Sequence, residues 1–364
     1  MDNPPQQLAD IESRNIIELR LMHHFTTFTA HTLPGADNPD VLRTWSTDVP
    51  PFALQHPALL HAIFAFAALH LSKVQPEVKH WSIYRCYFTH ALRAHNYNIS
   101  NLSVANADAV CLSCILISVL SFVPELCIRD QATGEPSIGP SLYQTLLVSR
   151  GSGDVFRKAW DWMKDEPTSF ARVIVKASPQ YLEAYGPQSP LKQDPSDGRL
   201  VWPEKYAEMF KGLLDPELPH SVNSTPSPSH TVEIESGVRH GETWTPSLER
   251  IYTEALSSLS SLYLHAQCGD PPLSLCRRLM GYSAMLSMDF LHLVRQGRPR
   301  ALAVLSCFFA LSKLVGDVWW IGDTGRRVVL AIYHEIPEDW RMVMQWPLQM
   351  VDAVEAEPDD IIAD

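Results

Sequence analysis

The sequence lacks the sustained alternation of apolar and polar residues that predicts β-strands, and no segment recurs at a fixed period. Apolar residues instead return at spacings of three and four through most of the chain, which is the pattern of amphipathic helices. These two observations exclude folds built on a large sheet. The sequence therefore predicts an all-α protein, an irregular multi-helix array of about ten to thirteen helices.

Positive charge is scarce. Lys and Arg together number 29 against 41 Asp and Glu, which gives a formal net charge of −12. A surface of this sign repels the phosphate backbone of nucleic acids rather than attracting it. We therefore expect no direct nucleic-acid binding by this chain.

Signals for secretion or membrane insertion are missing too. The N-terminus has no basic and apolar signal pattern, and no run reaches the roughly 18 to 20 apolar residues of a membrane span. The seven cysteines are scattered through apolar helical patterns, which is typical of a reduced, intracellular protein. Cys111 and Cys114 form a CxxC without a second one, so we predict that they are core cysteines.

Signatures of catalytic and cofactor sites are equally absent. The sequence has no GxSxG elbow, and its histidines form no HExxH motif. The glycine-rich stretch LVSRGSGDVF has neither the lysine of a phosphate-binding loop nor a preceding strand, so it predicts a helix that ends at Gly151 and Gly153. No cofactor and no metal site are predicted.

The strongest positive signal is an apolar stretch that begins at Pro57. Its residues leave almost no polar face, which predicts a central helix covered by neighbours on most sides. Proline is tolerated in a first turn, where its missing N–H has no partner to lose. For the helix before it, over residues 11–32, we predict a buried face that includes Leu19, Met22 and Phe25.

Composition divides the chain into five segments. We expect a disordered lead, two helical halves, a Pro/Ser-rich linker with one short helix at 203–214, and an acidic tail. The second half should contain helices over 246–265, 273–295 and 300–318. The segments, in chain order, are residues 1–10, 11–185, 186–246, 247–351 and 352–364.

Met, Phe and Trp are concentrated in the second helical half. Such a set either forms plain core or lines an apolar cavity, because flexible methionines and flat aromatic rings fit a bulky hydrophobic ligand. Two carboxylates, Asp317 and Asp289, stand among apolar neighbours. They are either helix-cap and salt-bridge residues or groups with a raised pKa.

Four stretches between residues 18 and 351 form a recognisable set: ELRLMHHFTTFTAHTL, HPALLHAIFAFAALHLS, LLVSRGSGDV and RPRALAVLSCFFALSKLVGDVWWIGDTGRRVVLAIYHEIP. This set resembles the regulatory region of fungal-specific transcription factors of the zinc binuclear cluster class, and most of all the sterol uptake control proteins. The resemblance implies an all-α module of the nucleus and/or cytoplasm. It also implies binding of a sterol-like small molecule and a homodimer, or a heterodimer with a related factor.

The DNA-binding element of that family is a cluster of six cysteines near the N-terminus. The first cysteine here is Cys86. We therefore expect that this chain does not itself hold DNA in the family's manner.

Two functional hypotheses of different classes follow. In the first, the chain is a regulatory module that senses a sterol or other hydrophobic metabolite between the helices of residues 273–320. In the second, the same fold serves as a cyclase or isomerase in fungal secondary metabolism, with Asp317, Asp289 and His292 as acid or base. A third possibility is a dimerisation partner that binds no small molecule. The residues expected to line the pocket are Met280, Ala284, Met288, Phe308, Gly316 and Trp319.

Overall fold

Helices account for nearly all of the regular structure in the computed structural model, which describes residues 4–123, 138–178, 192–193, 200–201, 204–218 and 243–351. The α-helices are α1 Pro4–Thr27, α2 Pro39–Arg43, α3 Val49–Ala53, α4 Pro57–Val74, α5 Val78–Ser100, α6 Ala107–Ser121, α7 Ile138–Met163, α8 Phe170–Lys176, α9 Pro246–Gln267, α10 Pro272–Met285, α11 Met288–Arg295, α12 Pro299–Leu311, α13 Thr324–Glu335 and α14 Gln345–Met350.

Shorter elements connect these helices. Segments of 3₁₀ helix cover Thr29–Thr32, Ser312–Val315 and Glu338–Met344, and a π-helical turn of the chain covers Thr44–Asp48. Glu204–Leu214 is also 3₁₀ in character but is interrupted by a kink at Phe210. Within the described ranges, the sheet content is one antiparallel pair of two-residue strands, β1 Lys192–Gln193 and β2 Leu200–Val201, with Lys192 opposite Val201. The predicted all-α class is confirmed.

The predicted central helix is α4. Twelve of its 18 residues are buried, and it packs against α1, α5 and α6. Pro57 occupies its first turn, as expected. By length and composition α4 also meets the requirements for a membrane-crossing helix, yet 61% of it is buried inside the fold, as in the core helix of a globular protein.

The first helix differs from expectation at its start and on its buried face. It begins at Pro4 rather than at the predicted residue 11, and the predicted disordered lead over residues 1–10 stays a prediction. Leu21 and Phe25 are buried, whereas Leu19 is 72% exposed. Leu21 and Phe25 are four residues apart and share one side of a helix, but Leu19 lies six residues before Phe25 and therefore points elsewhere.

The predicted helix end at Gly151 and Gly153 is also wrong, because α7 continues through both glycines to Met163. Gly153 lies where α10 crosses α7. A Cβ atom added to it would stand 2.8 Å from the carbonyl oxygen of Ala284, whereas one added to Gly151 meets nothing within 4 Å. Gly153 thus serves the close approach of two helices rather than a turn.

The single helix predicted over residues 273–295 is in fact two. The chain turns at Leu286 and Ser287, and the Ser287 hydroxyl accepts a hydrogen bond from the backbone N–H of Phe290 at 3.1 Å. This is an N-cap, which starts a new helix at Met288. The next predicted helix, over residues 300–318, ends earlier, at Leu311.

The two helical halves share one core. All 13 residues of α12 are buried, and the buried apolar side chains before and after the linker form a single cluster. Within the expected linker, the predicted short helix is the 3₁₀ segment Glu204–Leu214. The acidic tail over residues 352–364 lies outside the described residues. The division into segments otherwise stays a prediction.

Alanine substitutions at the two glycines of α7 test the packing of this helix. Gly151→Ala should raise the melting temperature, because alanine stabilises a helix interior by up to about 1 kcal/mol relative to glycine. Gly153→Ala should lower it, since the new methyl group would overlap the backbone of α10, at a cost of about 1–3 kcal/mol. Thermal unfolding followed by circular dichroism measures both; equal shifts of the same sign would contradict the proposed close contact.

Candidate ligand-binding site

A small apolar cavity lies between α10, α12 and the loop that joins α12 to α13. It has room for about one water molecule. The expected open, sterol-sized hollow is therefore absent from this part of the described structure, because side chains fill the interior. The lining residues are Phe122, Cys276, Leu279, Met280, Phe308, Phe309, Ser312, Trp320, Ile321 and Thr324.

The hydroxyl groups of the lining are already engaged. Ser312 donates to the Phe309 carbonyl at 2.6 Å, and Thr324 donates to the Ile321 carbonyl at 2.6 Å. A Cβ atom on Gly325 would overlap the Phe309 carbonyl oxygen, so α13 begins in direct contact with the end of α12. The cavity therefore offers mainly apolar contacts to an occupant.

One buried polar group stands behind this lining. Tyr282 of α10 stacks on Phe308, with ring centroids 4.6 Å apart. Its hydroxyl has no hydrogen-bond partner among the described residues, and burial raises the pKa of this phenol. An unpaired buried hydroxyl is costly to leave unsatisfied.

Only part of the predicted lining faces the cavity. Of the six predicted residues, Met280 and Phe308 line the cavity. Ala284 instead turns its carbonyl toward Gly153, and Met288 is 36% exposed at the start of α11. Gly316 and Trp319 also lie outside the cavity walls.

The break between α10 and α11 explains most of this difference. The predicted stripe assumed one continuous helix, which would align Met280 with Ala284 and Met288. In the real α10, Cys276, Leu279 and Met280 share the inner face at spacings of three and four. The Ser287 N-cap was the signal in the sequence that indicated this break.

The residues proposed for catalysis do not converge. Asp317, Asp289 and His292 are all exposed, and none of them lines the cavity. Catalysis in an enclosed pocket requires an acid or base within hydrogen-bond reach of the substrate. The geometry therefore gives the enzyme hypothesis no support.

The loop that closes the cavity is bonded to the N-terminal half. The Trp320 indole lines the cavity and donates its Nε1–H to the Thr32 carbonyl at 2.9 Å. The neighbouring Trp319 does not line the cavity and donates to the Thr32 hydroxyl at 3.0 Å. Its ring stacks on His70 of α4, with centroids 4.6 Å apart and planes 7° apart. Movement of Trp320 would therefore disturb the contact with the central helix.

His70 is held neutral at this junction. Its Nδ1 lies 3.0 Å from the Thr29 hydroxyl oxygen, and its ring is almost completely buried. Burial, with a smaller electrostatic contribution from the neighbouring His24, lowers the pKa of His70 to about 4. A neutral imidazole suits the stacked, largely apolar position that it occupies.

Comparison with known sequences shows which proteins this chain is similar to. Residues 20–132, which run from α1 into the segment after α6, match the fungal specific transcription factor domain. The resemblance read from the sequence is therefore confirmed: the chain is a homologue of fungal zinc binuclear cluster transcription factors.

Three relatives illustrate the relationship. A Zn(2)-C6 fungal-type transcription factor of Gibberella zeae is 27% identical over 92% of this chain and 62% of its own length. The Zn(2)-C6 fungal-type transcription factor afumD of Aspergillus fumigatus is 31% identical over 79% of this chain and 65% of its own length. Sterol uptake control protein 2 of Candida albicans is 34% identical over 28% of this chain and 14% of its own length. The chain thus spans somewhat less than two thirds of the first two relatives.

The depressed pKa of His70 predicts acid sensitivity at this junction. Between its usual pKa of 6.5 and about 4, the unfolded chain binds a proton here that the folded chain does not, so stability falls as the pH falls through this window. His70→Phe keeps a ring against Trp319 and removes the titration. Its free energy of unfolding, measured by urea denaturation at pH 7 and pH 5, should fall less than that of the wild type.

A control for this experiment is His31→Phe, because His31 is exposed. This variant should lose as much stability on acidification as the wild type does. An equal loss in His70→Phe and the wild type would show that His70 does not contribute to the pH dependence.

Proposed function

We propose that this chain is the regulatory part of a fungal transcription factor and that it senses a sterol or another hydrophobic metabolite. The observation that carries the proposal is the apolar cavity whose lining residue Trp320 is hydrogen-bonded to Thr32. Thr32 lies within the matched domain, residues 20–132. A ligand at this site would thus act directly on the region that the chain shares with known regulators.

The cavity has to widen to admit such a ligand. Pockets for ligands of this size enclose about 300–1,000 Å³, whereas this one has room for about one water molecule. Met280 is only partly buried, and an unbranched methionine side chain changes rotamer at low cost. Burial of apolar ligand surface, at ~25 cal/mol per Å², would offset the cost of moving these side chains. Binding and opening are then one coupled step.

This coupling supplies a physical route for regulation. If the ligand displaces Trp320, the indole loses its bond to the Thr32 carbonyl, and the adjacent stack of Trp319 on His70 shifts with it. The change in packing would reach α4, because His70 is one of the buried residues of this helix. The bound and free states would then differ in the N-terminal half as well as at the cavity.

The choice of a sterol rests on two relatives named sterol uptake control protein 2, from Candida albicans and Saccharomyces cerevisiae. The unpaired Tyr282 hydroxyl behind Phe308 suits a ligand that carries a single hydroxyl on an apolar body. The dimer, a role in secondary metabolism and a nuclear or cytoplasmic location stay predictions. The expectation that this chain does not itself bind nucleic acid also stays a prediction.

Bulky substitutions at two methionines test the site. Tritiated ergosterol should bind the wild-type chain saturably, and Met280→Trp should weaken this binding at least roughly tenfold, because the indole would fill the cavity. Met288→Trp is the matched control, since Met288 lies outside the cavity and is exposed. Equilibrium dialysis with chains of equal helical content gives both affinities.

Two results would overturn the proposal. One is the absence of saturable binding of ergosterol or of any lipid extracted from fungal cells. The other is equal affinity of the Met280→Trp and Met288→Trp chains for the ligand.

Removing one hydrogen bond tests the regulatory route. Trp320→Phe keeps an aromatic ring at the cavity and loses the donor to the Thr32 carbonyl. Ergosterol should still bind, but its effect on hydrogen exchange in α1 and α4 should become smaller than in the wild type. Trp162→Phe, at a 40% exposed position on α7, is the control and should leave the effect unchanged. An undiminished effect in Trp320→Phe would exclude this route.

A further inference from the structure

Helix α5 has no acidic residue, although the chain as a whole carries a formal net charge of −12. No Asp or Glu occurs between Glu77 and Asp108, and the helix contains Lys79, Arg85 and Arg93. The other long helices of the described structure, α1, α7 and α9, each contain carboxylates. Thus α5 is a positively charged element of a negatively charged protein.

Arg85 and Arg93 lie on one exposed side of α5. Thr89 lies between them and Tyr97 follows, so that exposed residues recur at spacings of four along the same side of the helix. Other sides of α5 pack against α4 and α6. At a rise of 1.5 Å per residue, the two arginines leave the helix about 12 Å apart. We call the row of Arg85, Thr89, Arg93 and Tyr97 the basic face.

The charge of the basic face is not neutralised within the part of the chain that the structure describes. Neither arginine side chain has an ion pair or a hydrogen bond there. Glu77 lies next to α5, but its carboxylate is 2.7 Å from Lys79 Nζ. Glu18 of α1 also contacts α5, but it accepts a hydrogen bond from Arg14 at 2.8 Å. Both arginines are therefore available to carboxylates of another molecule.

Tyr97 adds an aromatic ring to the basic face, and its side chain is 70% exposed. Tyrosine and arginine are enriched at protein interfaces, whereas lysine and glutamate are depleted there. A helix side that serves only solubility typically carries charges of both signs. The composition of the basic face is therefore that of a binding surface.

We propose that the basic face of α5 is a docking surface for an acidic helix of a partner protein. Each arginine would hold a carboxylate through two parallel N–H···O bonds, and Tyr97 would lie against an apolar side chain. On a partner helix aligned with α5, carboxylates eight residues apart would meet Arg85 and Arg93, because that spacing also spans about 12 Å. The basic face is already open to solvent, so no part of the described chain has to leave it.

The charge of the whole protein favours a peptide over a nucleic acid as the occupant. A phosphate backbone extends beyond the basic face and would be repelled by the acidic remainder of the surface. A short acidic helix touches only this face, and charges more than about 10 Å away are largely screened at ~0.1 M salt. This docking surface is separate from the ligand cavity and does not rest on sterol binding.

Two labelled peptides test the proposal. The first is a fluorescein-labelled, alanine-based helical peptide with glutamate at every fourth position along one side and leucines next to them. The second has lysine in place of each glutamate. Fluorescence anisotropy with the full chain at low salt should show binding of the glutamate peptide and none of the lysine peptide. Added salt should weaken the binding, as it does for contacts between exposed charges.

Charge reversal at the two arginines gives the sharpest comparison. Arg85→Glu with Arg93→Glu should weaken binding of the glutamate peptide at least roughly tenfold and should create binding of the lysine peptide. The control, Arg326→Glu with Arg327→Glu, makes the same change of net charge at exposed positions of α13 and should bind both peptides as the wild type does. Tyr97→Ala should weaken binding without changing its salt dependence. Circular dichroism checks that the compared chains have equal helical content.

Several results would overturn the proposal. The first is a wild type that does not bind the glutamate peptide, or equal affinity of the two charge-reversed chains for it. The second is binding of a labelled DNA duplex, in place of the peptide, that depends on Arg85 and Arg93. The third is a wild-type dimer that dissociates on charge reversal at these arginines and binds no peptide, in favour of contact between copies of the chain. The last is peptide binding that appears only after Asp359→Asn with Asp360→Asn, which would assign the face to the chain's own acidic tail.

Discussion

The fold depends on the burial of two helices that have almost no polar face. Twelve residues of α4 and all 13 of α12 are removed from solvent. A helix of this kind has no side that water tolerates, so other helices must surround it. α1, α5 and α6 do this for α4, and α11, α13 and α14 contribute for α12. The two halves of the chain are joined because both central helices contribute side chains to one apolar cluster.

Close packing around α12 determines what kind of ligand site the chain can hold. Aromatic rings and Met280 occupy the space that a bulky metabolite would need, so a site at this place requires movement of side chains. Trp320 connects this cavity with the N-terminal half, because its donor bond joins the cavity loop to Thr32. Under the proposed function, binding and a change of shape would be one coupled event.

Arg300 gives the second half a different kind of contact. Its buried guanidinium donates to the main-chain carbonyls of Leu213 and Asp215, while the Phe210 ring packs edge-to-face on Trp346. The cavity and the Arg300 contact lie at different ends of α12, because Phe308 is near its end and Arg300 is in its first turn. One buried helix thus contacts both the cavity and the main chain at Leu213 and Asp215.

The sequence by itself determined the helical class and the central position of α4, because apolar periodicity and the stretch from Pro57 depend on neighbours along one helix. It also carried the resemblance to fungal transcription factors. It also placed Met280 and Phe308 near a common space. Tertiary structure decided that Gly153 lies at the crossing of two helices rather than in a turn. It also decided that Trp320 rather than Trp319 faces the cavity. Both outcomes depend on which distant helix lies opposite a residue, and no local pattern contains that information.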